Sequence, residues 1–305
     1  MKILKALGIL IFAFFISASF QGGVESQKQE YPALEVERPL LLPKGFFEIR
    51  GQFSYFDAQK YFNDDKKPTD FPEDADWRMF NAQIEIGWGA LKWLEVGARI
   101  PYLAGKEFYA KGQNIGDVWS YLLFSFYKKE SVELGARLEI SFPTGEHNRK
   151  MGLRDSEYYL EDLVTGNPYS DFLFGLDFCW HQKNFALRAK GGYVLTQAGE
   201  VKKGIEGLEQ TVKIDTGDKF FQSIDFLYQL NERWVLIGGV SYFNQQADKE
   251  EGESLDNPRE LLSILGGVEY QPQTNYELFF QIGASLVGRN QPVAYPIVIG
   301  IENRF

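Results

Sequence analysis

From Gly45 onward, apolar and polar residues alternate with a period of two in one segment after another. In the stretch 84–100, Ile84, Ile86 and Trp88 share one face, while Leu94, Val96, Ala98 and Ile100 continue it on a second arm. Glu85, Glu95 and Arg99 occupy the opposite face. The same pattern predicts strands near 45–56, 77–89, 93–102, 117–127, 131–143, 171–181, 185–196, 218–230, 234–245, 260–270, 276–288 and 293–305. The connections alternate in length. Short ones fall near 90–92, 128–130, 182–184, 231–233 and 271–275; the others, near 57–76, 103–116, 144–170, 197–217, 246–259 and 289–292, are mostly long, polar and acidic. Tight turns at one end and long loops at the other mark a transmembrane β-barrel, and an even strand count puts both ends of the barrel at the short-turn, periplasmic side.

The face assignment decides between this barrel and a secreted β-sandwich, which would bury the same apolar rows. The polar row is densely charged, with Glu48, Glu133, Glu269 and Glu277 besides the residues named below. Turned inward, the rows of Phe, Trp and Tyr would overfill a soluble barrel, because each aromatic side chain buries roughly 150–250 Å². Aromatics also recur beside the short turns: Trp88 and Trp93, Trp180 and Phe185, Tyr228 and Trp234, Tyr270 and Tyr276. This is the interfacial girdle of a membrane barrel. Tilted strands of this length cover a hydrocarbon band of ~25 Å, and closure leaves no backbone group unpaired in lipid. The expected fold class is therefore all-β, an antiparallel up-and-down transmembrane barrel of about twelve strands over 45–305, with its apolar rows in lipid.

Composition agrees. Aromatic residues make up 16% of the 305 residues, with 26 Phe, 16 Tyr and 30 Gly. The net charge of −10 argues against nucleic acid as a partner. Cys179 is the one cysteine, which excludes an intrachain disulfide and a multi-cysteine metal site. Residues 1–20 read as a secretory signal peptide, with Lys2 and Lys5 before a short apolar run and the small residues 17–19 at its end. Residues 21–44, with Pro32, Pro39 and Pro43, read as a periplasmic N-terminal segment. The expected location is the bacterial outer membrane, in contact with lipid and lipopolysaccharide. Phe305, closing an alternating strand, resembles the signal read by the barrel assembly machinery.

Four stretches go beyond a generic barrel: "RPLLLPKGFFEI" (38–49), "LEVGARIPYL" (94–103), "GQNIGD" (112–117) and "GARLEISFPTGEH" (135–147). Their order resembles the transporter-like outer-membrane family named for the meta-pathway of phenol degradation. The motif residues are Pro101, Gly116, Asp117, Pro143 and Gly145, with Asn114 where a glycine is usual. The match covers the first half of the chain best. The resemblance implies a barrel that passes small molecules, aromatic or hydrophobic ones among them, without naming a solute. Read locally, the same residues punctuate strand ends, where a proline's missing N–H costs little and an aspartate caps loop amides.

The inward row supplies the candidate site: Arg50, Glu85, Glu95, Arg99, Arg137, Glu139, Asp177, Arg188, Lys190 and Asp225. Buried charges must be paired or hydrated. Two outcomes stay open, a mutually paired interior that nearly closes the lumen and a narrow polar pore. No catalytic residue is assigned. His147 falls on a long loop and His181 in a short turn, neither beside a serine on a strand row, and two isolated histidines make no zinc site. No metal and no cofactor is expected. The acidic loop with Asp64, Asp65, Asp70, Glu73, Asp74 and Asp76 reads as a solvated surface, with a cation bridge to lipopolysaccharide as its functional alternative. The expected function is passive uptake or efflux of small molecules. The alternative is a non-conducting surface protein acting through its outer loops.

Overall fold

The computed structural model describes residues 34–154, 157–205 and 207–305; the expected signal peptide lies outside them. Twelve antiparallel strands form the barrel. They are β1 (Phe47–Ala58), β2 (Asp76–Leu91), β3 (Leu94–Phe108), β4 (Val118–Lys129), β5 (Val132–Phe142), β6 (Phe172–Gln182), β7 (Phe185–Leu195), β8 (Lys219–Asn231), β9 (Trp234–Gln245), β10 (Arg259–Gln273), β11 (Tyr276–Arg289) and β12 (Ile297–Arg304). Each pairs with its sequence neighbour, and β1 pairs with β12 to close the ring, with Glu48 opposite Arg304 and Tyr55 opposite Ile297. Phe47 and Phe305 exchange backbone hydrogen bonds of 2.7 and 2.9 Å across that seam, and their rings stack at 6.1 Å. No barrel edge remains open to lipid, as the hydrocarbon requires.

The predicted faces hold. Leu138, Phe174 and Ile282 point outward, 40%, 51% and 55% exposed, while the intervening residues of the same strands turn inward. Leu122 and Phe126 also face out, and Tyr121 and Leu123 of β4 are buried inside. A ring stack of Phe47 on Trp88 at 5.8 Å and a close Trp234–Tyr270 pair at 4.7 Å belong to the short-turn girdle.

Two boundaries depart from the sequence reading. β3 runs six residues past the expected 102, because above Arg99 it changes partner from β4 to the segment Ala110–Ile115 and forms a hairpin outside the barrel. Pro101 sits at that change, where no ladder donor is needed. β12 starts at Ile297 and not at 293: the preceding Pro296 has no N–H to offer, and Gln291–Pro292 pair instead with Tyr61–Phe62 of the first outer loop.

The outer loops are more ordered than their polarity suggests. Arg149–Arg154, Glu157–Leu160, Gly199–Gly204, Gln210–Asp215, Lys249–Glu250 and Glu253–Ser254 join into one six-stranded sheet. Val201, Val212 and Ile214 form its small apolar core. The acidic first loop is tied down by the chain's own cations and amides: Asp64 meets Arg289 at 3.4 Å and Asn290 at 2.8 Å, and Asp70 meets Lys60 at 3.2 Å.

An arginine on the lipid face tests the orientation. Leu138 lies mid-strand, between Leu122 and Phe174 on the neighbouring strands. Leu138→Arg is expected to cost about 2–4 kcal/mol of folding free energy in vesicles, read by denaturant titration of the heat-modifiable folded form.

Candidate functional site

The mouth at the short-turn end is filled by the chain's own residues 34–44. A 3₁₀ turn, Glu35–Glu37, packs against β6, β7 and β8. Val36 is fully buried against Ala186, Leu227 and Val235. The segment then crosses the lumen. Arg38 donates to Glu277 at 2.7 Å and to the Thr274 carbonyl at 3.1 Å. The Leu40 amide donates to Glu133 and the Leu42 amide to Glu95, each at 2.8 Å. Leu41 packs on Tyr121 and Leu123. Finally Gly45 and Phe46 exchange backbone hydrogen bonds with Gly89 on β2. A Cβ on Gly89 would run into the Leu42 and Pro43 carbonyls, so the plug's return to the wall requires glycine there. The sequence reading places 21–44 in the periplasm; the structure draws 34–44 into the barrel.

The seat is written into strand starts. Glu95, Glu133 and Glu277 are each the second residue of a strand rising from a short turn, and so are Ala186 and Val235. The carboxylates accept from the plug, and the two smaller side chains make room for Val36. Glu95 belongs to the candidate site read from the sequence, and Glu133 and Glu277 to the inward polar row. Glu35 and Arg38 are missed; the i,i+3 charge pair ahead of the apolar run Leu40–Leu42 was the available signal.

Glu35 is the electrostatic anchor. It pairs with Arg38 and, at 2.8 Å, with Arg188, whose guanidinium also donates to the Glu35 carbonyl. Gln271 donates to it at 3.4 Å, and Arg304 stands 3.8 Å away. Burial alone would push the Glu35 carboxyl up; the guanidinia of Arg38, Arg188 and Arg304 outweigh it and hold the group at about 2. Glu35, Glu269 and Glu277 bring carboxylate oxygens within 4.8 Å of one another, a spacing that suits a metal ion. Arg38 and Arg304 supply positive charge to Glu35 and Glu277, while Glu269 makes no ion pair among the described residues and keeps Oε2 buried without a hydrogen-bond partner.

Above the plug, several of the expected lumen residues pair with one another. Arg137 forks onto Asp177 with two bonds of 3.1 Å and reaches Glu139 at 3.3 Å; Arg99 also pairs with Glu139. Arg50 approaches Glu302 at 3.7 Å, and Glu85 lies in register between Arg50 and Arg99. Lys190 faces inward yet is exposed, and Asp225 sits beside Arg188 in register. Lys190 stands opposite Asp177 on the neighbouring strand. Cys179 is buried as a small strand residue.

The motif residues converge at the outer end of β3–β5, though they are far apart in sequence. The Gly116 amide donates to the Pro101 carbonyl at 2.9 Å. Asp117 accepts from the amides of Gly145 at 3.0 Å and Asn167 at 2.7 Å. The Thr144 hydroxyl donates to the Gly116 carbonyl at 2.8 Å and accepts from the Val118 amide at 3.0 Å. A Cβ on Gly145 would lie 2.8 Å from the Thr165 carbonyl. Pro143 ends β5 just before this clasp. His147 rests on the loop near the Gly145 carbonyl at 3.3 Å; His181, expected in a short turn, lies on β6 opposite Ala186, because the strand continues to Gln182. The clasp forms one wall of an outer cavity of about 920 Å³ that opens between the lumen and the loop sheet.

With this geometry in view, the comparisons with known proteins fall into place. No family model matches the chain, and no curated protein matches it. Its fold is similar to the COG4313 outer membrane channel from Pseudomonas putida F1, at 13% identity and a TM-score of 0.73, covering 93% of this chain and 100% of that one. It is also similar to the translocator domain of the autotransporter NalP from Neisseria meningitidis (9% identity, TM-score 0.52, 87% and 90% covered). The β domain of the Bordetella autotransporter BrkA follows (10%, 0.50, 86% and 100%). The chain has the fold of an outer-membrane β-barrel. These likenesses speak for the fold.

Two outcomes follow from the anchor and the clasp. The ordinary carboxyl value for Glu35 is 4.5 and its folded value is about 2, so its contribution to plug docking is complete above about 4.5 and is lost as pH falls towards 2. A spin label on the exposed Glu37 (Glu37→Cys, with Cys179→Ser) should stay immobile at pH 5–7 and loosen only in that acid window. Separately, Asp117→Ala leaves two amides without their acceptor, a local cost of about 1–3 kcal/mol. Protease should then cut the 143–171 loop faster while the barrel keeps its heat-modifiable migration.

Proposed function

We propose that this protein is a channel of the bacterial outer membrane for small molecules, held shut at its periplasmic mouth by residues 34–44. The observation that supports the reading is the contrast inside one barrel: an inward row of charges, with Lys190 exposed among them, ends in a mouth filled by a segment with no strand pairing of its own. A plug held by side-chain carboxylates to amides and by ion pairs can leave at far lower cost than a strand. The motif resemblance supports membership in the transporter-like family named for phenol meta-cleavage, and through it aromatic or hydrophobic solutes. Lipid and lipopolysaccharide surround the apolar belt, and Phe305 at the β1–β12 seam is the residue offered to the assembly machinery.

The alternative, a non-conducting surface protein, draws on the six-stranded outer sheet. Liposome swelling separates the two. The intact protein should pass a small sugar such as arabinose slowly. Deletion of 34–42 should raise the rate at least fivefold, and Glu95→Gln with Glu133→Gln should fall between. A folded deletion variant as tight as empty liposomes would refute the channel and leave the surface reading.

A further inference from the structure

The outer cavity carries a charge arrangement that the barrel's architecture does not use. Four cations line it: Arg99, Arg149, Lys219 and Arg259. Arg99 is committed to Glu139, and Lys219 stands 3.7 Å from Asp171. Arg149, opening the first strand of the loop sheet, and Arg259, opening β10, are both half-buried, and among the described residues neither makes a side-chain hydrogen bond or an ion pair. Burial draws the Arg149 guanidinium below its ordinary range, Asp248 and Glu250 offset part of this, and the like charge of Arg259 adds to it.

The acids that line the same cavity are mostly spoken for. Asp117 is held by the Gly145 and Asn167 amides. Asp248 accepts from Gln245 at 3.1 Å and Asn257 at 3.2 Å. Asp171 accepts from Asn167 but keeps Oδ1 without a partner. Glu107 also makes no side-chain bond among the described residues, and it lies on β3, five strands round the barrel from β10. Two neighbouring half-buried guanidinia therefore face a cavity with their donors unspent. Guanidinium forks match a carboxylate in shape and charge. Tyr159, packed edge-on against Tyr109 at 5.4 Å, and Trp119 add aromatic surface to the lining. A volume of about 920 Å³ suits a small organic molecule.

We infer that this cavity is a binding site for a small organic carboxylate, its acid group held between Arg149 and Arg259 and its apolar body against the tyrosines and Trp119. The inference deepens the channel reading, on which its purpose rests: the site would be the first stop of a solute entering from outside. Its test does not depend on conduction. The full chain in detergent micelles is titrated by calorimetry with benzoate as probe. Saturable binding is expected, weakened at least tenfold by Arg149→Gln or by Arg259→Gln and abolished by the pair. Benzamide, the same shape without the charge, should bind at least tenfold more weakly. Heat-modifiable migration shows that each variant is folded. Benzoate binding unchanged in the double variant, benzamide binding as well as benzoate, or displacement by equimolar chloride would each overturn the site. A sealed barrel that binds benzoate refutes the channel alone; a conducting barrel that ignores benzoate refutes the site alone.

Discussion

Every backbone N–H and C=O inside hydrocarbon must find a partner, and this one constraint organises the molecule. Twelve strands meet it by closing, with β12 returning to β1. Closure creates an interior, and the two-residue period of a strand then fixes what fills it: whatever is not offered to lipid. Arg137, Asp177 and Glu139 satisfy one another there, and Lys190 stands opposite Asp177. A polar interior is a path between two compartments unless something stands in it. At the short-turn end, residues 34–44 do.

The barrel was legible because its signal is local. Alternation in a window of ten residues already says which side chains meet lipid, as Leu138 and Ile282 show, and turn lengths alone give the polarity of the ends. What escaped notice is non-local or short. Arg38 finds Glu277 across 239 positions of sequence, a separation that no window covers. The loop strands alternate too, Val201 with Lys202, Val212 with Lys213 and Ile214, but over stretches of six residues among charges. The upper half of β3 lies beyond the lipid, so Gly105, Lys106 and Glu107 carry no apolar row to announce it. Repetition offered a clue that periodicity did not: glutamate second in the strand, at 95, 133 and 277.

The motif residues teach a related lesson. Pro101, Gly116, Asp117 and Gly145 invite a functional reading when met as a set. In the fold they form a clasp in which a strand changes partner and a loop is pinned by one carboxylate. Their chemistry is that of ordinary strand-end structure. Arg149 and Arg259, which make no ion pair among the described residues, belong to no motif and lie on segments that read as loop or strand edge. Only the assembled cavity makes them neighbours.

The plug's receptors are spread over five hairpins, from Glu95 near the start of the barrel to Glu277 near its end. The first and the last of these come round to one another only where the ring is joined between Phe47 and Phe305. A half-built sheet therefore offers the segment only part of its seat. A stopper that fits only a finished cylinder keeps a sealed product and an unfinished one chemically distinct.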